Sequence, residues 1–175
     1  MNNLIFAIDP GNVESGYVVV EHDGNEIVKV LECGKLENEE LCRVMGDWLS
    51  VHNCDFAIEM IASYGMSVGR EVFDTCVWIG RFWQYAVDTE YIDCGYCEEP
   101  TLIYRKDEKL NICGTLKAKD TNIKQALVDR YAPGEKNDGK GTKKKPGFFY
   151  GFKADIWQAF AVAVTYFDLH VKGKT

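Results

Sequence analysis

The chain has 175 residues, 46% hydrophobic and 27% charged, a balance that suits one globular domain with a sizeable core and excludes a disordered tract. Its net charge of −7 argues against a protein that coats nucleic acid indiscriminately. No stretch approaches the roughly 18 apolar residues of a membrane span. MNNLIFAIDPG has neither the basic start nor the long apolar run of a signal peptide, so the expected location is the cytoplasm, with no membrane partner.

The chain opens with Leu4–Ile8, a short apolar run that predicts a strand buried on both faces. It ends in Asp9, Pro10 and Gly11. Proline cannot donate to a ladder and glycine permits positive φ, so the chain turns there and leaves Asp9 at the end of a central strand. A carboxylate in that position needs a partner, either a metal ion or its own turn. Gly16–Glu21 is β-branched and predicts a second strand, Asp23-Gly24 a hairpin turn, and Glu26–Glu32 a third, edge strand. Three strands joined by tight turns make an antiparallel meander. Asn38 is a candidate N-cap for a helix carrying Leu41, Val44, Met45, Trp48 and Leu49 on one face.

Asp55–Glu59 is a further apolar strand ending in an acid. A helix separates it from the first strand, so the two are expected to run parallel and to bring Asp9 and Glu59 together at the edge where open α/β sheets bind ligands. Glycine-punctuated Ala62–Gly69 predicts a loop. Arg70–Val87 predicts a long helix whose Val72, Phe73, Val77, Trp78, Phe82, Trp83 and Tyr85 are read first as core. Thr101–Tyr104 predicts a strand, Arg105–Cys113 a short helix closed by Gly114, and Asp120 or Thr121 the cap of a helix reaching Tyr131.

Residues 101–153 carry a net charge of +7 against −14 for the remainder, a candidate polyanion footprint or an ordinary lysine-rich surface. Within that half, residues 135–151 (EKNDGKGTKKKPGFFYG) predict a flexible basic loop. Lys143, Lys144 and Lys145 could meet phosphates there, and Phe148, Phe149 or Tyr150 could stack on bases. The final helix, from Lys153 to about Leu169, is rich in small residues and has Asp155 in its first turn, where the macrodipole favours an acid. The seven cysteines are odd in number and scattered, which suits reduced, mostly buried thiols. Cys94 and Cys97 form a lone CxxC without the second pair a zinc site wants.

Asp9, Glu59 and Asp155 thus all stand at element ends. Crowded acids repel one another without a cation. Two divalent ions about 3.5–4 Å apart can activate a water and stabilise a leaving oxyanion at a phosphodiester.

The stretches AIDPGNVESGYVVV, AIEMIASYGMSVGREVF, YRKDEKLNICGTLKAKDTNIKQAL and KADIWQAFAVAVTYFD together resemble the RuvC-type Holliday junction resolvases of the ribonuclease H-like nuclease superfamily, in particular their phage-encoded branch. The resemblance implies an α/β fold with a mixed five-stranded sheet, an antiparallel meander followed by parallel strands, flanked by helices. It implies a homodimer that resolves four-way DNA junctions by symmetric phosphodiester nicking with two Mg²⁺ or Mn²⁺ ions, in the host cytoplasm if phage-encoded. Asp9, Glu59 and Asp155 match the family's metal-binding catalytic carboxylates. A fourth family ligand is absent: its place one turn before Asp155 is taken by Phe152. Lys153 is the nearest polar group and a candidate to hold the scissile phosphate or the water. Tyr64, Arg70, Lys117 and Lys119 fall where the family makes DNA contacts, and the helix from Arg70 is the implied dimer surface. Related readings are a ribonuclease H-like nuclease acting on other branched DNA or on RNA–DNA hybrids, and a catalytically weakened junction-binding protein. A sugar-kinase-type ATPase fits poorly, because no second IDPG-like turn occurs.

Overall fold

The computed structural model describes residues 3–51, 54–63, 65, 67–94 and 99–173, with the backbone alone at 50, 51 and 90–94. Five strands form one sheet: β1 (Leu4–Asp9), β2 (Glu14–His22), β3 (Ile27–Glu37), β4 (Asp55–Met60) and β5 (Thr101–Tyr104), in the order β3-β2-β1-β4-β5. β1, β2 and β3 pair antiparallel, and β1, β4 and β5 pair parallel. The mixed sheet, with the meander at one side and parallel strands at the other, is as expected. β3 is the edge, but it runs five residues past the predicted Glu32 and so carries Lys35.

Alternation along the strands sorts two cores. Ile5, Ala7, Val18, Val20, Ala57 and Ile103 face one side, under α4 (Asp120–Tyr131) and α5 (Ala154–Tyr166). Phe6, Ile8, Tyr17, Val19, Phe56 and Ile58 face the other, under α1 (Asn38–Val51) and α2 (Arg70–Cys94). The two-residue period of a strand makes this parity strict, so Asp9 and Glu59 follow Ala7 and Ala57 onto the α5 face. α5 is buried along most of its length from Ile156 to Thr165, and its alanines let it lie close on β1 and β2.

Several local expectations change. Asn38 is the first residue of α1 rather than the residue before it. Its side chain accepts the Ser15 hydroxyl at 2.6 Å and donates to the Gly11 carbonyl at 3.0 Å, tying the helix start to the turn after Asp9. In α4 Asp120 lies in the first turn rather than at the cap. Lys119 is the N-cap, and its N–H is taken by the Asn122 side chain at 2.9 Å. α2 extends to Cys94, and while Phe82 is core, Phe73 and Val77 stand 61% and 56% exposed on its outer side. Of the cysteines whose side chains are described only Cys54 is buried, and the rest are half-buried. Cys97 lies outside the described residues.

The segment expected as a loop at 135–151 has structure of its own. A 3₁₀ turn (Asn137–Gly139) leads into a two-stranded ribbon of β6 (Gly141–Thr142) and β7 (Lys145–Pro146), with Lys143 and Lys144 at its tip. Phe149, expected among base-stacking candidates, is fully buried, and Phe148 packs against the same core. Only Tyr150 of the three is exposed, at 45%. The cause is a cluster of rings: Phe149 lies 4.6 Å from Trp157, 5.1 Å from Phe152 and 5.4 Å from Phe160 between ring centroids.

Candidate active site

The C-terminal ends of β1 and β4 form the floor of the site. Ile8 stands opposite Ile58 at the end of their pairing, which leaves Asp9 and Glu59 as the next residues on adjacent parallel strands. The two carboxyls are near enough for each to bear on the other's proton, by charge and by hydrogen bonding. Burial first, then the charge of Glu59 and that hydrogen bond, push the Asp9 carboxyl up to about 9, with Asp155 and Glu108 adding to the effect. Burial and Glu59 thus favour a proton on Asp9, which relieves the repulsion between the two acids.

Asp155 reaches the site because of a glycine. Asp9 pairs with Gly16 across β1–β2, and Gly16 with Lys35 across β2–β3, so the three positions form one row on the α5 face. Gly16 leaves a gap in that row, and the start of α5 fills it. A Cβ on Gly16 would stand 2.6 Å from the Asp155 carbonyl oxygen and 2.8 Å from its carbon, both backbone atoms that cannot swing away. Gly16→Ala is expected to lift the first turn of α5 off the sheet and to cost about 1–3 kcal/mol, the usual range for overpacking. A denaturant melt against wild type measures it, and an unchanged midpoint would contradict the close approach.

Lys35 closes the row. Its ammonium lies 2.8 Å from Asp155 and 3.3 Å from Glu14. Nothing in the sequence singles out Lys35, which looks like any edge-strand lysine until the register sets it beside Asp155. Glu108 in α3 (Arg105–Cys113) is equally unmarked in the sequence, yet it is wholly buried and its charge reaches Asp9. Lys153 is the exposed N-cap residue of α5, and Phe152 is buried in the aromatic cluster. Lys117, Lys119, Lys143, Lys144 and Lys145 are exposed, as is Arg70, which pairs with Asp74 at 3.4 Å. Tyr64 lies outside the described residues.

Among the described residues no three His, Cys, Asp or Glu side chains converge closely enough to form a ready metal cage. Acids without a cation spread apart or find a substitute, here a proton favoured on Asp9 and the Lys35 ammonium on Asp155. The donors are nonetheless of the right kind. They are hard carboxylate oxygens on three elements, and Glu108 contributes a buried oxygen with no hydrogen-bond partner among the described residues. The residues fit divalent-ion binding on condition that the proton and the ammonium give way.

No family model and no curated protein matches the chain. Solved structures do. The Thermus thermophilus RuvC structure aligns over 93% of this chain and 92% of its own, with a TM-score of 0.61 and 15% identity. The fold is RuvC-like. T. thermophilus RuvC in complex with a Holliday junction substrate aligns over the same shares, with a TM-score of 0.60 and 15% identity. At such low identity RuvC informs the topology of this chain, and its chemistry has to be argued from the chain's own residues.

Proposed function

We propose that this chain is a metal-dependent, structure-selective DNA endonuclease that nicks four-way junctions in the manner of a resolvase. The observation that carries this reading is the placing of Asp9 and Glu59 at adjacent parallel strand ends of a RuvC-like sheet, with Asp155 brought alongside through Gly16. Asp9, Glu59 and Asp155 would hold two Mg²⁺ or Mn²⁺ ions. When bound, the ions supply the Lewis acid that activates a water and stabilises the leaving oxyanion. The residues' own part is to bind and orient. Asp9 and Glu59 would bind from the strand ends, and Asp155, held here by Lys35, would complete the set from α5. Lys153, at the exposed mouth of α5, is placed for a phosphate.

DNA contacts fall to the lysines outside the acidic floor. The tip of the β6–β7 ribbon offers Lys143, Lys144 and Lys145, and the turn before α4 offers Lys117 and Lys119. Arg70 and Tyr64 belong to the same reading. Phosphate contacts carry no sequence information, so selectivity comes from the shape of the junction. The exposed Phe73 and Val77, one turn apart on α2, support a homodimer through that helix. The phage-encoded branch rests on the sequence motifs alone.

A labelled mobile four-way junction and a matched linear duplex, each with Mg²⁺, Mn²⁺ or chelator, test the reading. Paired symmetric nicks confined to the junction and to the metal-containing lanes are expected. Equal cleavage of the duplex or of an RNA–DNA hybrid would replace junction selectivity with a broader nuclease. Replacing Lys143, Lys144 and Lys145 together by Ala should reduce the slope of log affinity against log salt by up to about 3, roughly one for each phosphate no longer neutralised. An unchanged slope would remove the ribbon from the DNA path.

A further inference from the structure

α3 follows β5 with no intervening loop: Tyr104 ends the strand and Arg105 begins the helix. β5 lies parallel to β4, with Ile103 opposite Glu59 and Tyr104 opposite Met60. The first turns of α3 therefore stand directly beside the strand end that carries Glu59. Glu108 projects from this part of the helix, and its side chain is 0% exposed. Its Oε2 accepts from the Arg105 guanidinium, which also reaches Asp120. Its Oε1 meets no donor among the described residues.

A buried carboxylate with one oxygen orphaned is costly. Leaving such a group unsatisfied costs about 1–3 kcal/mol, and more when it is charged. A buried ion pair serving stability alone is commonly matched or bettered by apolar residues of the same volume. The orphan oxygen thus looks for a cation rather than a second donor. The charge of Glu59 bears on Glu108, and that of Glu108 on Asp9, so the three carboxylates share one field. Just before α5, the place one turn ahead of Asp155 holds Phe152, 1% exposed within the aromatic cluster, and offers no side-chain oxygen.

We propose that Glu108 Oε1 is the fourth carboxylate ligand of the metal site, supplied from α3 in place of the donor that α5 lacks, with Arg105 as the positioning residue that fixes Oε2. The proposal rests on the metal-dependent reading above. It assigns the shell to four elements, β1, β4, α3 and α5, and makes Phe152 a packing residue rather than a defect.

Mn²⁺ binding to the full chain, without DNA, tests it. Free Mn²⁺ is read by electron paramagnetic resonance, and folding is followed by a thermal melt in chelator. Glu108→Gln, nearly isosteric, should weaken Mn²⁺ binding at least tenfold, the lower bound for losing even an outer-shell partner of a metal site. It should still melt cooperatively in chelator, because glutamine keeps the side-chain volume and its oxygen can still accept from Arg105. Arg105→Gln should weaken binding less, and Arg105→Lys should recover part of it. Glu108→Cys gives an independent gain of function: a thiolate prefers soft Cd²⁺, so a sulfur-to-cadmium absorption band above the wild-type background is expected. If Glu108→Gln binds Mn²⁺ like wild type while Asp9→Asn does not, Glu108 is merely structural and the nuclease reading stands. If wild type binds no Mn²⁺ at millimolar concentration, both fall together.

Discussion

Asp9→Asn should abolish metal-dependent junction cleavage while making the metal-free protein more stable. The two effects have one cause. In wild type the folded Asp9 holds its proton up to about pH 9, because burial and Glu59 oppose its charge. The unfolded carboxyl releases it near pH 4. Between those limits the folded state binds the extra proton, so stability is greatest below the unfolded value and declines as pH rises through the window. Asparagine can donate to Glu59 without that penalty. The expected gain at neutral pH in chelator is about 1 kcal/mol or more, which is about 2–4 °C for a chain of this size. Cleavage should fall by more than about 100-fold, since loss of an outer-shell partner alone costs 10–100-fold. Melts of both proteins from about pH 5 to about pH 8.5, with and without Mg²⁺, provide the check. Wild type should lose stability with rising pH in chelator and regain it with Mg²⁺, whereas the variant should gain nothing from Mg²⁺ and keep only the shallower pH slope of Glu108, whose carboxyl burial pushes up to about 8. A variant that melts lower than wild type in chelator at every pH would show that Asp9 is an ordinary satisfied carboxylate.

Phe149→Ala is expected to cost about 3–5 kcal/mol, the range for emptying a large aromatic site in a core. Phe149 is fully buried, and its ring is in contact distance of Tyr131, Phe148, Phe152, Trp157 and Phe160. The cluster joins the segment after the ribbon to α4 and α5, so the cavity would loosen the first turn of α5 that carries Asp155. The backbone gives a second reason: the Phe149 N–H donates to the Gly139 carbonyl at 3.1 Å, pinning the base of the ribbon. Tyr150→Ala is the informative companion. Its side chain is 45% exposed, so its stability should change by less than about 0.5 kcal/mol. Any loss of single-strand or junction binding in Tyr150→Ala would then report stacking. Denaturant melts that gave the two variants equal midpoints would contradict the burial assigned to Phe149.

Much of the fold was legible because strands and helices announce themselves locally. The apolar run of Leu4–Ile8, the Pro-Gly turn behind it and the acid at its end fix a central strand and its exit without reference to the rest of the chain. The same pattern at Asp55–Glu59, with a helix between, fixes a parallel neighbour, and the pairing of Ile8 with Ile58 bears this out. Gly114 closes α3 in the left-handed region at φ 68°, as its position predicts. Element ends were less legible. β3 extended through Lys35 and α2 through Cys94, because propensity fades at termini while pairing and packing continue.

Sequence alone determined the sheet, the parity that places Asp9 and Glu59 on one face, and the candidacy of Asp155 at the head of the last helix. Those follow from periods of two and 3.6 residues and from turn chemistry, which act over a few neighbours. Tertiary structure decided everything that depends on residues far apart in the chain. It set Lys35 against Asp155 through two strand registers, turned Phe149 inward where its lysine-rich neighbours suggested an open loop, and buried Glu108 beside Glu59 through the junction of β5 and α3. A lysine, a phenylalanine and a glutamate each look the same in sequence whether they face solvent or a carboxylate. Their neighbours across the sheet, not those along the chain, set the electrostatic field and the packing that give them a role.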